Sequence, residues 1–427
     1  MEKNFRKIFN EVLKNIDLSN ENSEKIKIKL NLFLEKLKKE INRKRILVEE
    51  FVGGSFAKGT MIKKEKYDLD LFIRFNKKYS EEEMVFLTKK ILKNFSGVKK
   101  IHGSRDYFQI KLDSNLFIEI IPVKKISKSS DAENITDLSY SHVHYINKKI
   151  KDKNILDEIK IAKAFCYANN CYGAESYING FSGYSLELLI YYYKTFLKFL
   201  KAVSNTDDKL IIDIEKDYKN KQEILMNLNS SKLNSPIILI DPTFKKRNAL
   251  AALSKETFDK FQKICRDFLK NPNIKFFEQE KTDLRKIEQG AVKKNYEFIL
   301  VEIKTDKQEG DIAGSKLLKF YNHLIKEAEI YFEVKNKGFN YNGKKSARFF
   351  VVGKSKKERL FEGPFAKDKI NLKKFEKAHK NYFIKNARVY AKEKINFNLN
   401  QFLNFWINEN KKKIKQMYIE NFELISG

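Results

Sequence analysis

Cysteine is scarce in this 427-residue sequence, and its spacing matches no known framework. Cys166, Cys171 and Cys265 are too few for a disulfide scaffold and do not form a zinc-binding pattern. Buried thiols in a reducing compartment are the simplest interpretation. We therefore expect a cytoplasmic protein without structural disulfides or zinc.

Long hydrophobic runs are also missing. No window approaches the roughly 18 consecutive apolar residues of a membrane span. The helix predicted at the start of the chain, residues 1–16, carries charges throughout, unlike a secretory signal. No membrane partner is expected. The length of 427 residues exceeds one ordinary core and suggests two to four domains.

Acidic residues are outnumbered. The chain has 56 Asp and Glu against 86 Lys and Arg, which gives a formal charge of +30. A field of this sign attracts polyanions such as nucleic acid or an anionic membrane surface. A composition biased towards Lys, Ile and Asn would raise the Lys content without any such partner. We favour a polyanion partner, because so large an unpaired charge repels itself.

Hydrophobic periodicity predicts a mixed sheet backed by helices, then a helical part, then alternating strands and helices. The predicted helices are residues 5–16, 26–41, 155–168, 186–200 and 312–328. The predicted strands are residues 46–52, 69–75, 107–112, 116–121, 237–240, 298–303 and 348–352. Pro122 is expected to end the fourth strand, and the basic residues 335–345 are expected to form a solvated loop.

The strongest local signal is Gly54-Ser55-Phe56-Ala57-Lys58-Gly59-Thr60, followed by Tyr67-Asp68-Leu69-Asp70-Leu71. A Gly-Ser step between a strand and a helical turn lets backbone N–H groups and the Ser55 hydroxyl approach a triphosphate. Asp68 and Asp70 are two residues apart on a strand, so both carboxylates point to one face. Their mutual repulsion calls for a cation, and hard oxygen ligands beside phosphates suit Mg²⁺.

A third carboxylate is expected to complete a two-metal site. Glu119 interrupts the apolar run from Leu116 to Ile121, where an unpartnered charge would be costly. It faces the aspartates if its strand lies beside theirs. A structural salt bridge for Glu119, and a solvated edge strand for Asp68 and Asp70, are the alternatives.

These residues resemble the signature of the nucleotidyltransferase superfamily: Gly-Ser, a spacer, an acid-x-Asp pair and a later acid. Other segments resemble the archaeal-type (class I) CCA-adding enzymes. They are 171–175, 180–184, 187–189, 241–242, 246–248, 251–254 and 421–427. The resemblance covers nearly the full length and is strongest from about residue 46 to 270.

The resemblance implies an α+β multidomain fold. A nucleotidyltransferase catalytic domain with a mixed sheet would span residues 1–145, a mostly helical central domain 146–257, and a C-terminal α/β RNA-binding domain 258–427. A tail segment at about 305–375 would contact tRNA.

The implied reaction is template-independent addition of C, C and A to the 3′ end of tRNA. It uses CTP and ATP, needs two Mg²⁺ ions and releases pyrophosphate. The implied contacts on tRNA are the acceptor stem and T arm. The sequence leaves the oligomeric state open, and a homodimer is one possibility.

The resemblance also assigns roles to single residues. Asp68, Asp70 and Glu119 would be the catalytic metal ligands, with Glu119 standing where the family usually has Asp. The implied nucleotide-binding residues are Gly54, Ser55, Lys58, His142, Lys163, Tyr172 and Arg247. Arg247 would read the base edge, Tyr172 would contact the sugar, and the Ser and Lys residues would bind phosphates. His144 competes with His142 for a nucleotide contact.

Two other functions stay open. A polymerase of the same fold that adds A tails or makes oligoadenylates would carry the same acids. A catalytically inactive RNA-binding relative would keep only the fold, and the presence of all three acids argues against it.

Overall fold

The computed structural model describes residues 2–279 and 282–425, which fall into two compact units, residues 1–280 and 281–427. Each unit has its own hydrophobic core. Within the described ranges, no helix combines the length and apolar character needed to cross a membrane.

The first unit begins with two helices, continues through a five-stranded sheet and ends in a mostly helical part. Its helices are α1 (Glu2–Ile16), α2 (Asn20–Arg43), α3 (Gly54–Ala57), α4 (Glu81–Ile91), α5 (Ser139–Lys149), α6 (Lys153–Ala168), α7 (Gly183–Tyr193), α8 (Phe196–Ser204), α9 (Lys221–Asn227), α10 (Ser230–Leu233) and α11 (Lys255–Lys270). Its strands are β1 (Val48–Val52), β2 (Tyr67–Asn76), β3 (Lys99–Ile101), β4 (Tyr107–Lys111), β5 (Leu116–Lys125), β6 (Leu210–Ile212), β7 (Ile237–Asp241) and β8 (Phe244–Asn248).

The five-stranded sheet has the order β1-β2-β5-β4-β3, and β2 and β5 run parallel. On β2 the side chains of Tyr67, Leu69 and Leu71 are buried in a core that also contains α2 and α4. Asp68 and Asp70 alternate with them and therefore point to the opposite face. The alternation separates the core face from the face that carries the acids.

Pro122 does not end β5, so that prediction was wrong. β5 continues to Lys125 because β2 remains its partner up to the pair Asn76–Lys125, whereas β4 pairs with β5 only up to Ile120. Beyond Ile120 no described strand pairs with that edge of β5. Proline has no N–H to donate and is tolerated at such an edge.

The helical part of the first unit packs around one aromatic core. Phe165 from α6, Phe196 from α8 and Phe261 and Phe268 from α11 are all fully buried there. The three cysteines are buried and unpaired, as expected, and belong to this core. A small sheet, β6-β7-β8, accompanies these helices, and every residue of β7 is buried.

The single helix predicted at residues 186–200 is two helices. Lys194 adopts a left-handed backbone conformation (φ 69°), which ends α7. Thr195 then caps α8 by accepting a hydrogen bond from the Lys198 N–H. Threonine is a favoured N-cap, so a local capping preference interrupts an otherwise continuous apolar stripe.

The second unit consists of two antiparallel sheets and five helices in the described range. The helices are α12 (Leu284–Lys293), α13 (Asp311–Tyr331), α14 (Lys369–Ala378), α15 (Leu399–Glu409) and α16 (Lys411–Gln416). The strands are β9 (Glu297–Lys304), β10 (Phe332–Tyr341), β11 (Ser346–Ser355), β12 (Glu358–Phe365), β13 (Tyr382–Lys385), β14 (Arg388–Lys394) and β15 (Asn421–Ile425). The sheets have the orders β10-β11-β9-β15 and β12-β14-β13. Phe320, Phe332, Phe349 and Trp406 form much of the core.

The loop predicted at residues 335–345 was mostly wrong, because β10 extends to Tyr341 and pairs with β11 along its length. Only the turn from Asn342 to Lys345 separates the two strands. β11 contributes Phe349 and Val351 to the core, so cross-strand pairing orders a partner segment whose composition is polar.

The proposed three-domain division remains a prediction. The boundary predicted between residues 257 and 258 falls inside α11. Along the chain, the first compact unit ends at residue 280 and the second begins at residue 281. The buried side of this continuous helix joins the core of the first unit.

Candidate active site

Gly54, the first residue of the short helix α3, makes a close turn directly after β1. Its backbone is left-handed (φ 64°), a conformation that glycine adopts at little cost. The preceding Gly53 N–H donates to the Asp70 carbonyl oxygen at 2.8 Å. A side chain at position 54 would collide with the Asp70 carboxylate. The glycine therefore lets the turn and the carboxylate occupy the same small space.

The three acids share one face of the sheet. In the parallel register Asp70 is paired with Glu119, and Asp68 is paired with Phe117. Burial raises the pKa of Glu119 to about 8, with further contributions from the negative charges of Asp70 and Asp68. Burial likewise raises the pKa of Asp70 to about 6. Neighbouring carboxylates oppose the ionisation of Glu119 and of Asp70, and a bound cation would relieve this cost.

The donor chemistry of these acids fits a divalent metal ion, because they are hard oxygen ligands on adjacent strands. Over residues 2–279 and 282–425, no group of three His, Cys, Asp or Glu side chains is arranged to hold a metal ion as it stands. Glu119 instead accepts a hydrogen bond from Gln109 Nε2 at 3.2 Å. A carboxylate has more lone pairs than one hydrogen bond uses, so this contact leaves Glu119 able to bind an ion as well.

A buried cluster beside the acids joins Lys58, Thr60, Lys163 and Glu187. The Glu187 carboxylate accepts from Lys58 Nζ at 2.6 Å, Lys163 Nζ at 2.7 Å and the Thr60 hydroxyl at 2.8 Å. Burial alone would raise the pKa of Glu187, but the two lysines lower it to about 2. One carboxylate thus holds two ammonium groups, and the cluster keeps one net positive charge.

A second buried cluster is centred on Asp241 at the end of β7. Its carboxylate accepts from His142 Nε2 at 3.0 Å, Arg247 Nη1 at 2.6 Å and the Tyr184 hydroxyl at 3.0 Å. The His142 ring stacks on Tyr184 with 4.0 Å between ring centroids. Burial alone would raise the pKa of Asp241, but His142 and Arg247 hold it well below its usual range.

Lys58 links the two clusters. Its Nζ binds Glu187 and also lies 5.9 Å from the centre of the Tyr184 ring. The positive charge of Lys58 further opposes protonation of His142, whose pKa is lowered mainly by burial. The structure therefore brings Lys58, Lys163, His142 and Arg247, which are far apart in sequence, into one connected region.

The remaining candidate residues lie around this region. The backbone of Tyr172 forms an isolated β-bridge with Phe181. The centre of the Tyr172 ring lies 4.6 Å from Lys64 Nζ, and this ammonium group interacts electrostatically with Asp68. The Ser55 carbonyl oxygen accepts from the Thr60 N–H at 3.0 Å. His144 stacks at 6.3 Å on Tyr140 and takes no part in the Asp241 cluster.

The sequence interpretation did not single out Glu187 or Asp241 as functional residues. Glu187 stands between Leu186 and Leu188 in an apolar run, the same signal that identified Glu119. A charge in such a run requires a partner, so this signal was available. Asp241 is the last residue of the buried strand β7, but its partners His142 and Tyr184 could not be identified from the local sequence pattern.

Comparison with known proteins defines the class. Residues 157–278 match the family model "tRNA nucleotidyltransferase, second domain", and residues 4–158 match the "Second Messenger Oligonucleotide or Dinucleotide Synthetase domain". The Cid1 poly(U) polymerase bound to MgATP is 13% identical, with a TM-score of 0.52 over 66% of this chain and 100% of that chain. That identity establishes the fold alone. Fold and domain matches together define a nucleotidyltransferase.

Sequence relatives specify the family. The CCA-adding enzyme of Nanoarchaeum equitans is 34% identical over 352 residues, which are 81% of this chain and 83% of that protein. The CCA-adding enzyme of Methanocaldococcus jannaschii is 30% identical over 402 residues, 90% and 86% of the two chains. The chain belongs to the CCA-adding enzyme family. Nucleotidyltransferases generally use a divalent metal ion.

Proposed function

We propose that this enzyme adds C, C and A to the 3′ end of tRNA, using CTP and ATP without a nucleic-acid template and releasing pyrophosphate. The observation that carries the proposal is similarity to CCA-adding enzymes over most of both chains. The active-site geometry supports it, because acids and lysines suited to nucleotidyl transfer converge in the first unit.

Asp68, Asp70 and Glu119 would hold two Mg²⁺ ions. When bound, the ions supply positive charge that lowers the pKa of the RNA 3′ hydroxyl and neutralises the triphosphate. Catalysis then depends on positioning and charge, so no covalent intermediate with the protein is needed. Gly54 contributes by leaving room for the Asp70 carboxylate.

Lys58 and Lys163 would bind the phosphates of the incoming nucleotide. Both lysines contact one carboxylate directly, that of Glu187, so they present more positive charge than this contact neutralises and suit an incoming anion. Ser55 would add a hydroxyl to the same contact, and Tyr172 would lie against the sugar. His142 and Arg247 would contact the nucleotide from the Asp241 cluster, with Arg247 reading the base edge.

The formal charge of +30 supports tRNA as the partner. We expect the second unit to bind the acceptor stem and T arm through phosphates and helix shape, as proteins usually recognise double-stranded RNA. Residues 305–375 are the proposed tail contact. The three buried free thiols fit a reducing compartment, so the cytoplasm is the proposed location.

Stepwise addition to a tRNA that lacks its 3′ end tests the proposal. With Mg²⁺ and CTP alone, two C residues should be added, and ATP should then complete the end. An A-specific polymerase would add nothing with CTP alone. Absence of any Mg²⁺-dependent incorporation would instead identify an inactive RNA-binding relative.

A further inference from the structure

Asp241 is a buried carboxylate with an unusually large set of donors. Besides His142, Arg247 and Tyr184, it accepts from the Thr243 N–H at 2.9 Å and the Thr243 hydroxyl at 2.8 Å. Its side chain is fully buried. A buried charge is tolerated only when such partners replace water, so the cluster is tightly constrained.

The hydrogen bond to Asp241 determines how the His142 ring is protonated. An ionised carboxylate can only accept hydrogen bonds, so the hydrogen must be on His142 Nε2. Burial lowers the pKa of His142 below its ordinary value, which favours the neutral form of the ring. A neutral ring with hydrogen on Nε2 has a lone pair on Nδ1. Within the described part of the chain, Nδ1 has no hydrogen-bond partner.

Asp241 also holds Arg247 by a hydrogen bond, but the guanidinium group can only donate hydrogen bonds to a ligand. Its Nη1 binds the Asp241 oxygen that also accepts from His142. The guanidinium side chain keeps about a fifth of its surface exposed (20%), so its other N–H groups can reach a ligand. One carboxylate thus holds an acceptor and a donor side by side.

We propose that Asp241 is a positioning residue of the nucleotide site, which makes His142 Nδ1 a hydrogen-bond acceptor and orients Arg247 as the neighbouring donor. The proposal rests on the function proposed above. Its chemical consequence is that His142 contacts an N–H or O–H group and not a phosphate oxygen. Two groups of the substrate qualify: a ribose hydroxyl, or the exocyclic amine that cytosine and adenine share.

Histidine ring ¹⁵N NMR of the free wild-type protein tests the first step. The His142 resonances, assigned by their loss in His142→Gln, should show a neutral ring with hydrogen on Nε2. In Asp241→Asn the ring should no longer hold a single tautomer. Hydrogen on Nδ1 in the wild type, or a cationic ring at pH 7, would overturn the proposal without reference to activity.

Steady-state kinetics of Asp241→Asn tests the second step. We expect kcat/KM for CTP and ATP to fall roughly 10- to 100-fold, as for loss of a charge-assisted hydrogen bond. The matched control is Asp213→Asn, because Asp213 follows β6 and accepts from the Tyr218 N–H at 2.9 Å, outside both clusters. Equal losses in the two variants would contradict a positioning role.

Modified nucleotides identify the group that meets Nδ1. The ratio of wild-type to Asp241→Asn kcat/KM is measured for CTP, for 2′- and 3′-deoxy-CTP, and for UTP. Collapse of the ratio with a deoxy nucleotide assigns the acceptor to a ribose hydroxyl, and collapse with UTP assigns it to the amine. An unchanged ratio for all four overturns the acceptor assignment. A wild-type protein that adds no CTP would refute the proposed function, while the NMR result would still stand by itself.

Discussion

Asp70 on β2 and Glu119 on β5 are register partners across a parallel strand pair, and the negative charge of Asp70 helps to raise the pKa of Glu119. The strands could have placed these carboxylates on opposite faces, since a shift of one residue reverses every side chain. The observed register puts both on the face that also carries Asp68. Electrostatic conflict at this point is relieved most directly by a bound cation, which connects the fold to the proposed chemistry.

Asp70→Asn should abolish nucleotide addition while leaving the protein at least as stable as the wild type. The amide keeps the shape but loses a metal ligand, and removal of several kcal/mol of charge stabilisation corresponds to roughly a thousandfold loss in rate. The pKa of Asp70 is raised to about 6, so at pH 8 the variant also loses an unfavourable buried charge. Labelled CTP incorporation and thermal unfolding measure the two effects.

The control for Asp70→Asn is Asp113→Asn. Asp113 lies in the exposed turn between β4 and β5 and pairs with Lys29, away from the acids. It should retain full activity. Normal CTP incorporation by Asp70→Asn would refute the metal assignment.

Gly54→Ala should inactivate the enzyme more than its cost in stability explains. Gly54 and Gly97 both have left-handed backbones (φ 64° and 70°), so alanine at either position should cost about 1 kcal/mol in strain. Only at Gly54 does the added carbon collide with Asp70, because nothing lies within 4 Å of the corresponding position at Gly97. Activity and chemical denaturation of both variants should therefore separate. Equal residual activities would contradict the role of Gly54 in seating Asp70.

The metal-free protein should lose stability as pH rises through the range where Glu119 ionises. The pKa of Glu119 is about 8 in the folded protein against an ordinary 4.5, so the folded state binds the extra proton between these values. Stability then falls from pH 4.5 towards pH 8. With chelator present we expect the Tm to drop by about 5 °C between pH 6 and 8.5, and Mg²⁺ should restore more of it at pH 8.5.

Glu119→Gln isolates this effect, because the amide cannot ionise. Its Tm should depend less on pH over the same range, and Mg²⁺ should raise its Tm less than that of the wild type. The same pH dependence in both proteins would show that Glu119 is not the group responsible.

The acid face was accessible from sequence because it depends on short-range pattern. Asp68 and Asp70 are two residues apart on a strand, so their shared face follows from strand geometry, and Glu119 stands out as a charge in an apolar strand. That its strand pairs with theirs is a result of the fold. Glu187 and Asp241 were missed as functional residues because their partners are distant. Glu187 meets Lys58 across 129 positions, and Asp241 meets His142 across 99. Such pairs are products of tertiary packing.

The errors in the fold have a similar origin. Residues 335–345 are polar and basic, which predicts solvation, yet β11 supplies a pairing edge that orders most of them. Proline normally ends a strand that has neighbours on both sides. The part of β5 that contains Pro122, beyond Ile120, has a described neighbour on one side only. In both cases the neighbouring strand determines whether the segment forms a strand. The sequence of the segment itself does not reveal which strand that neighbour is.

Glu187→Gln should weaken nucleotide binding and lower stability above pH 4.5. The amide removes the carboxylate that Lys58 and Lys163 both contact in a buried site, which should cost about 3 kcal/mol. The folded pKa of Glu187 is about 2 against 4.5, so its stabilisation is complete above pH 4.5 and disappears as pH falls towards 2. KM for CTP and ATP should rise roughly tenfold, because the lysines are no longer held in place. Acid unfolding curves and steady-state kinetics measure these changes.

The control for Glu187→Gln is Glu158→Gln. Glu158 accepts a backbone N–H, from Phe196 at 2.7 Å, in the same helical part of the first unit. It should change stability without a comparable change in KM. A similar rise in KM for both variants would mean that the lysine cluster has no special part in nucleotide binding.

Binding of tRNA should weaken steeply with salt, since a chain of formal charge +30 would contact it through phosphates. About six such contacts predict a loss of roughly a thousandfold in affinity between 50 and 200 mM salt. Lys344 and Lys345 are exposed in the turn between β10 and β11, so their double exchange to Gln should reduce the slope of log affinity against log salt by about 1 to 2. The double exchange Lys3→Gln and Lys7→Gln on α1 removes the same charge from another exposed surface. Filter binding at several salt concentrations distinguishes the two double variants. Equal slopes for both would show that this turn does not contact tRNA. A wild-type affinity that does not change with salt would exclude binding through phosphates.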